Sequence, residues 1–443
     1  MHWKNWLPFT LLAFVGVLGV AVPERTVQLP GGPANAGDVA WMLTATGLVL
    51  LMTPGLSFFY GGMVRHKNVI STMLQSFMAM GVISILWIVI GFSIAFGDSI
   101  GGVIGNPGTF FMLASVGTET HRDLSPTIPL LLFALFQLKF AIITPALITG
   151  SFAERVRFSS YVLFMCLFTV FIYSPLAHWT WHPQGFFRQW GVLDYAGGTV
   201  VHLSAGFAAL AGAMVLGRRR IHQENVAHTP ANIPFVILGT GMLWFGWFGF
   251  NAGSALAASG QAVLAFATTN TASAAAAIAW IAFDALRGRQ PTAVGACVGA
   301  VVGLVAITPA AGYVSIGSSI LIGTVASAVS NYVVHLKSRS TLDDTLDVFP
   351  CHGVGGIVGM LATAVFARDV GLIAGSPRTL LVHLAALCIA AAFTFFGSYL
   401  LYRITDAIIP LRVTDEQEAL GLDLSQHGEF VAPGAPLEDM VAG

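Results

Sequence analysis

The chain has 443 residues, of which 56% are hydrophobic and only 9% carry a charge, where a soluble domain usually carries about 25% charged residues. With a mean hydropathy of +0.78 there is too little polar surface to cover a water-soluble particle, so the chain belongs in a membrane. Twenty Lys and Arg against 21 Asp and Glu leave neither a basic patch for nucleic acid nor an acidic solvating run.

In chain order, the first apolar stretch is 6–22, WLPFTLLAFVGVLGVAV, with Lys4 before it and Pro23 and Glu24 after it. That is the polarity of a secretory signal peptide, yet the best cleavage match, Ala34-Asn35-Ala36, lies well downstream. A cleaved signal peptide and a retained extra helix both stay open, and residues 1–36 are set apart in either case. A spanning helix needs about 20 mainly apolar residues. Such runs follow near 39–61, 70–96, 127–149, 158–177, 197–217, 233–254, 264–286, 293–311, 313–335, 351–369 and 380–401, eleven in all.

Alternate connections carry Arg65, Lys67, Arg155, Arg157, Arg218, Arg219, Arg220, Arg287, Arg289, Lys337, Arg339, Arg403 and Arg412, while the opposite ones hold Arg122, Arg188, Arg368 and Arg378. Thirteen cations against four make the first set cytoplasmic by the positive-inside rule. The first span then starts outside, residues 37–409 form the membrane domain, and 410–443 form a cytoplasmic tail. Cys166, Cys297, Cys351 and Cys388 lie far apart in apolar runs and read as small buried hydrophobes, with no CxxC spacing for a metal.

Eleven spans divide into two five-helix halves and a closing helix. An odd number per half turns the second half upside down, which places a substrate path near the midplane between the halves. Span five holds VVHLSAG around His202 and span ten holds CHGVGG around His352, each preceded by an acid, Asp194 and Asp347. A histidine among apolar side chains in a span is costly unless it meets a partner or a water-lined path. A core histidine bonded to a backbone carbonyl fits either position alone; two in matching spans favour a function. No HExxH, dinucleotide fingerprint or nucleophile–base set is present, so neither an enzyme nor a cofactor is expected.

The segments DVAWMLTATGLVLLMTPGLSFFYGGMVRHKNV, FQLKFAIITPALITGSFAERVRF, DYAGGTVVHLSAG, GWFGFNAGSA, DVFPCHGVGGIVG and LGLDLSQHGE occur in order from Asp38 to Glu429. Together they resemble the ammonium transporter, methylammonium permease and Rhesus protein family, and its bacterial ammonium branch in particular. The resemblance implies an all-α integral membrane homotrimer in a bacterial inner membrane, with one pore per protomer. The mature N-terminus would lie outside and the C-terminus in the cytoplasm. His202 and His352 match the family's twin pore histidines, Phe140 and Phe250 its stacked gate, Trp181 and Ser254 its outer ammonium site with Phe136 close by, and Asp194 its structural acid. Ammonium would be held outside, stripped of a proton and passed as ammonia, with methylammonium as an analogue and a PII-type protein as a regulatory partner on the tail.

Plainer readings exist for the single residues. Trp181 suits an aromatic belt, the phenylalanines suit ordinary packing, and Asp194 suits a helix start. One residue departs from the family pattern, which has a neutral side chain there. Lys139 of FQLKF lies near the middle of span three, beside Phe140 and about 60° around the helix from Phe136. Either it packs away from the pore, or it alters the gate and makes the protein an ammonium sensor with little conduction.

Overall fold

The computed structural model describes residues 7–224 and 226–431; Lys4 and the tail segment 432–443 lie outside these. The described residues form an almost wholly helical bundle with two short hairpins. We number the principal helices α1 Leu7–Ala21, α2 Ala36–Met63, α3 His66–Phe96, α4 Leu130–Ser151, α5 Phe158–Trp190, α6 Gly198–Leu216 and α7 Ile233–Gly253. The others are α8 Gly260–Leu286, α9 Ala293–Ile307, α10 Ile316–Lys337, α11 Phe349–Phe366, α12 Pro377–Ile408 and α13 Asp415–Leu420.

Ten of them, α2–α8 and α10–α12, are long and apolar enough to cross a membrane. The run expected at 293–311 folds as α9, a helix of 15 residues, about 22 Å at 1.5 Å per residue. It is buried against α8 by close glycine contacts, because a Cβ on Gly303 would fall 2.5 Å from the Ala272 carbonyl oxygen. Helix α1, by contrast, exposes Leu11, Leu12, Phe14, Val17 and Val20.

Small residues decide how the bundle closes. In lipid there is no hydrophobic drive between helices, so close backbone approach replaces it. Helices α2 and α7, the first of each five-helix half, lie side by side. A Cβ on Gly239 would come 2.3 Å from the Phe59 nitrogen and one on Gly249 2.7 Å from the Ala45 carbonyl oxygen. Proline and polar residues within α2, such as Pro54, are tolerated because the neighbours cover them.

At one end of the bundle, buried charges form a network. Glu154 accepts from Arg65 and from Arg219, each at 2.9 Å, and Arg219 also reaches Asp343 at 2.9 Å. Arg155 donates to the Asp343 carbonyl at 2.6 Å. Burial works to raise the Asp343 carboxyl, but the Arg219 hydrogen bonds and the Arg155 and Arg219 charges hold it well below the usual range. The tail folds back onto this end: Arg412 pairs with Glu418 at 2.7 Å, and Asp423 accepts the first-turn N–H groups of Ile70 and Ser71 at 3.1 and 2.7 Å. A cleft of about 1240 Å³ lies between the tail and the 220–231 connection, with Arg65, Arg220, Glu418 and Phe430 in its wall.

Candidate functional site

Helices α6 and α11 run antiparallel, the start of each packed on the far part of the other. Both open with a π-helical turn, Gly198–Leu203 and Phe349–Val354, a feature that often marks functional positions. Each turn is held by a carboxylate. Asp194 accepts from the Gly197, Gly198 and Thr199 N–H groups at 2.8, 2.6 and 2.7 Å. Its counterpart on α11 is Asp344, which accepts from Val348 and Phe349 at 3.1 and 2.8 Å. The acid nearer His352 in sequence, Asp347, instead pairs with Lys337 at 2.6 Å from a backbone at φ 58. The pairing of Asp194 with Asp347 is thereby corrected to Asp194 with Asp344.

What brings the two helices together is a glycine on each, Gly206 just past the turn of α6 and Gly353 within the turn of α11. A Cβ on Gly206 would fall 2.2 Å from Gly353 Cα, so the backbones touch where any larger side chain would part them. His202, one turn before Gly206, and His352, next to Gly353, then meet. His202 Nδ1 and His352 Nδ1 lie 3.3 Å apart, with ring centroids at 5.4 Å and planes at 18°. Both rings are buried, at 1% and 3% exposure. A contact between two Nδ1 atoms admits one proton, so one ring is protonated at Nδ1 and the other at Nε2.

Above the histidines stands a column of aromatic rings. His202 stacks on Trp247 at 5.3 Å and 16°, and Phe250 lies 6.1 Å from it. Phe250 and Phe140 face each other at 4.1 Å, with both rings buried. Trp181 meets Phe140 edge to face at 5.8 Å, its indole N–H fixed on the Asp194 carbonyl at 3.1 Å. Over this pair opens a cavity of about 290 Å³ bounded by Phe140, Trp181, Asp194 and Ser254. Ser254 donates its hydroxyl proton to the Phe250 carbonyl at 2.8 Å, which leaves its lone pairs to accept. Phe136 does not line the cavity; its ring backs Phe140 at 4.9 Å.

Lys139 is also absent from the cavity wall. It shares a half-buried stripe of α4 with Leu131 and Leu135, while Phe136 and Phe140 are buried, and no hydrogen bond or ion pair reaches it among the described residues. The other histidines near the spans are satisfied core groups. His383 bonds the Thr379 carbonyl at 2.7 Å and accepts the Leu193 N–H at 3.1 Å. His178 lies between Ala95 O and Ser99 Oγ, at 3.0 and 2.8 Å.

Three residues escaped the sequence reading. Trp247, which carries His202, is pinned through its N–H to Thr308 Oγ1 at 2.9 Å. Gln137 and Tyr195 line the cavity with a buried oxygen that has no protein partner. Gln137 was findable: it lies three residues before Phe140, on an adjoining helical face.

A model of the ammonium transporter family matches residues 40–432. An ammonium transporter of Aquifex aeolicus is 43% identical over 428 residues, covering 94% of this chain and 98% of that protein. One of Bacillus subtilis is 44% identical over 403 residues, covering 89% of this chain and 98% of that protein. Among solved structures, Mep2 of Saccharomyces cerevisiae is similar with a TM-score of 0.83 at 34% identity, covering 91% of this chain and 93% of the other. A sensor Amt protein is similar with a TM-score of 0.81 at 29% identity, covering 88% and 98%.

Proposed function

The chain belongs to the ammonium transporter family, and from that premise we propose that it moves ammonium across the inner membrane by taking a proton off at the gate and relaying it through two histidines. The single observation that carries this reading is the Nδ1 contact of 3.3 Å between two buried imidazoles beneath the phenylalanine pair.

Ammonium and potassium have similar size and charge, so an electrostatic site alone separates them poorly. A bare cation costs roughly 20 kcal/mol in the idealised Born limit of transfer into a dry medium, whereas neutral ammonia costs only what a small polar group costs. Selection by deprotonation follows. Trp181 and Phe140 offer ring faces worth roughly 0.5–2 kcal/mol to a cation, and Ser254 Oγ accepts an N–H. Gln137 stands beside them, its buried amide oxygen without a partner among the described residues. Phe140 and Phe250 exclude hydrated ions.

A proton reaching the unprotonated Nε2 of the outer ring pushes the shared Nδ1 proton across, and the inner ring releases its own Nε2 proton inward. One transfer leaves both rings neutral with their tautomers exchanged, so the pair must exchange them back before the next proton enters, and ammonia crosses beside them. Asp194 and Asp344 hold the turns that carry the two rings.

The same reading makes the protein a homotrimer in a bacterial inner membrane, with eleven spans, α9 being the short eighth. The charge network and tail face the cytoplasm, where a PII-type protein docks; the N-terminal stretch is a leader or an added helix. The positive-inside bias supports that orientation. The sensor reading rested on Lys139 beside the gate, and its place on the half-buried stripe weakens it.

Ammonium, methylammonium and potassium pulses on solid-supported membranes test the proposal. Wild type and Lys139→Thr should give equal ammonium currents and none with potassium. His202→Ala should lose ammonium current about a hundredfold, the scale of a removed proton-transfer group. No wild-type current, restored by Lys139→Thr, would return the sensor.

A further inference from the structure

The lip of the outer cavity is a hairpin, Thr120–His121 paired with Ser125–Pro129. Within it His121 is 6% exposed, and its Nδ1 accepts two backbone N–H groups, from Asp123 and Leu124, both at 3.2 Å. The ring nitrogen serves residues two and three positions on, as an Asn or Asp side chain does in an Asx turn. These two bonds shape the turn that carries Asp123 and Leu124 into the cavity wall.

Asp123 differs from the other acid there. Asp194 has both oxygens occupied by backbone N–H groups. Among the described residues Asp123 has only Arg122, whose Nε and Nη2 donate to its two oxygens at 3.1 and 3.3 Å, in a pair whose side chains are 64% and 44% exposed and which water therefore screens. The remaining charged group in the wall is a cation, Arg188. A cation entering the cavity thus finds one carboxylate whose charge backbone N–H groups do not occupy.

We propose that Asp123 is an outer collecting site for ammonium and that His121 is its positioning residue, holding it at the lip only while the imidazole is uncharged. The inference rests on the ammonium reading above and adds a second, more exposed cation site. A charged imidazole has no acceptor, so a proton on Nδ1 turns the hook into a donor facing two donors.

The groups around the ring are His182, Asp123, Arg122 and Asp98, with His178 stacked on His182 at 4.3 Å and 14°. His182 Nδ1 is itself engaged by the Gln184 N–H at 3.1 Å. Burial pushes the His121 ring below its ordinary value; Asp123 and Asp98 pull it up and Arg122 down without reversing the direction. The neutral ring is therefore the state the folded lip favours. The folded ring stays neutral below the ordinary histidine value, about 6.5, and the hook is lost only as the pH falls through its lowered one.

Equilibrium binding of radiolabelled methylammonium to the purified protein, near pH 7.5 and near pH 4.5, tests this without requiring flux. One unit charge some 7 Å away in a partly screened site changes affinity on the order of fivefold. Asp123→Asn should lose about that factor near pH 7.5 together with most of the salt dependence. Wild type should lose a similar factor between the two pH values. His121→Asn supplies an acceptor for the same two N–H groups that takes no proton, so it should bind as wild type does at both. His121→Ala should bind weakly at both. Unchanged affinity in Asp123→Asn overturns the proposal, as does an acid loss in His121→Asn equal to that of wild type. A protein that binds in this pattern but carries no current overturns transport and leaves the lip standing; absence of wild-type binding overturns both.

Discussion

The two ends of the α6–α11 pair use one device in different electrostatic settings. At the end with the aromatic cavity, Asp194 holds the π turn of α6 through three backbone N–H groups, with no guanidinium or ammonium bonded to it among the described residues. At the other end, Asp344 holds the turn of α11 through two, and its chain neighbours Asp343 and Asp347 are paired with Arg219 and Lys337. The first setting leaves a wall open to an arriving cation. The second knits the turn to the connections and the tail, so the inner end is built for anchorage. The antiparallel packing of α6 and α11 places the same turn at both ends, and the side chains around it set the two apart.

The comparison breaks most completely where the halves touch. Gly206→Val should prevent the folded protein from accumulating, since the added atoms would lie inside the Gly353 backbone; size-exclusion recovery measures it.

Removing the inner network comes next. Arg219→Met leaves the buried carboxylates of Glu154 and Asp343 short of a counter-charge, a loss of about 3–5 kcal/mol that a fall in Tm should report. Acid acts on the same groups. For Glu154, too, burial opposes ionisation but Arg219 and Arg65 prevail and hold the carboxyl low. The stability of this end is present above the ordinary carboxylate values, about 4, and is lost as the pH falls through the depressed ones.

Asp194→Asn, at the outer end, exchanges charge-assisted bonds for weaker ones, about 2 kcal/mol. It should lower Tm less than Arg219→Met does and reduce ammonium current as the His202 turn loosens. A larger Tm loss than in Arg219→Met would invert the assignment of anchorage to the inner end. The smallest effect is expected for Ser254→Ala: one lost hydrogen bond of about 1 kcal/mol should raise the apparent KM about fivefold with the maximal current unchanged.

Much of this arrangement is legible in the chain. Hydropathy is local and additive, so the ten long spans follow from runs of apolar residues, and the ordered motifs single out His202, His352, Phe140, Phe250, Trp181 and Ser254 as residues to find together. The eighth run shows the limit of that logic: its composition is apolar enough, but glycine contacts and the turn at Thr308 end the helix after 15 residues. Lys139 shows another, because 60° around a helix does not say which neighbour stands there.

Sequence alone determined that the chain lives in a membrane, where its long apolar helices run, and which family its ordered motifs mark, since each of these depends on residue type and short-range order. Tertiary structure alone decided that Asp344 and not Asp347 answers Asp194, that Trp247 supports His202, that Lys139 stands off the cavity wall, and that the two imidazoles touch through Nδ1. Those are contacts between segments as much as 150 residues apart, fixed by which glycines let backbones meet, and no local pattern encodes them.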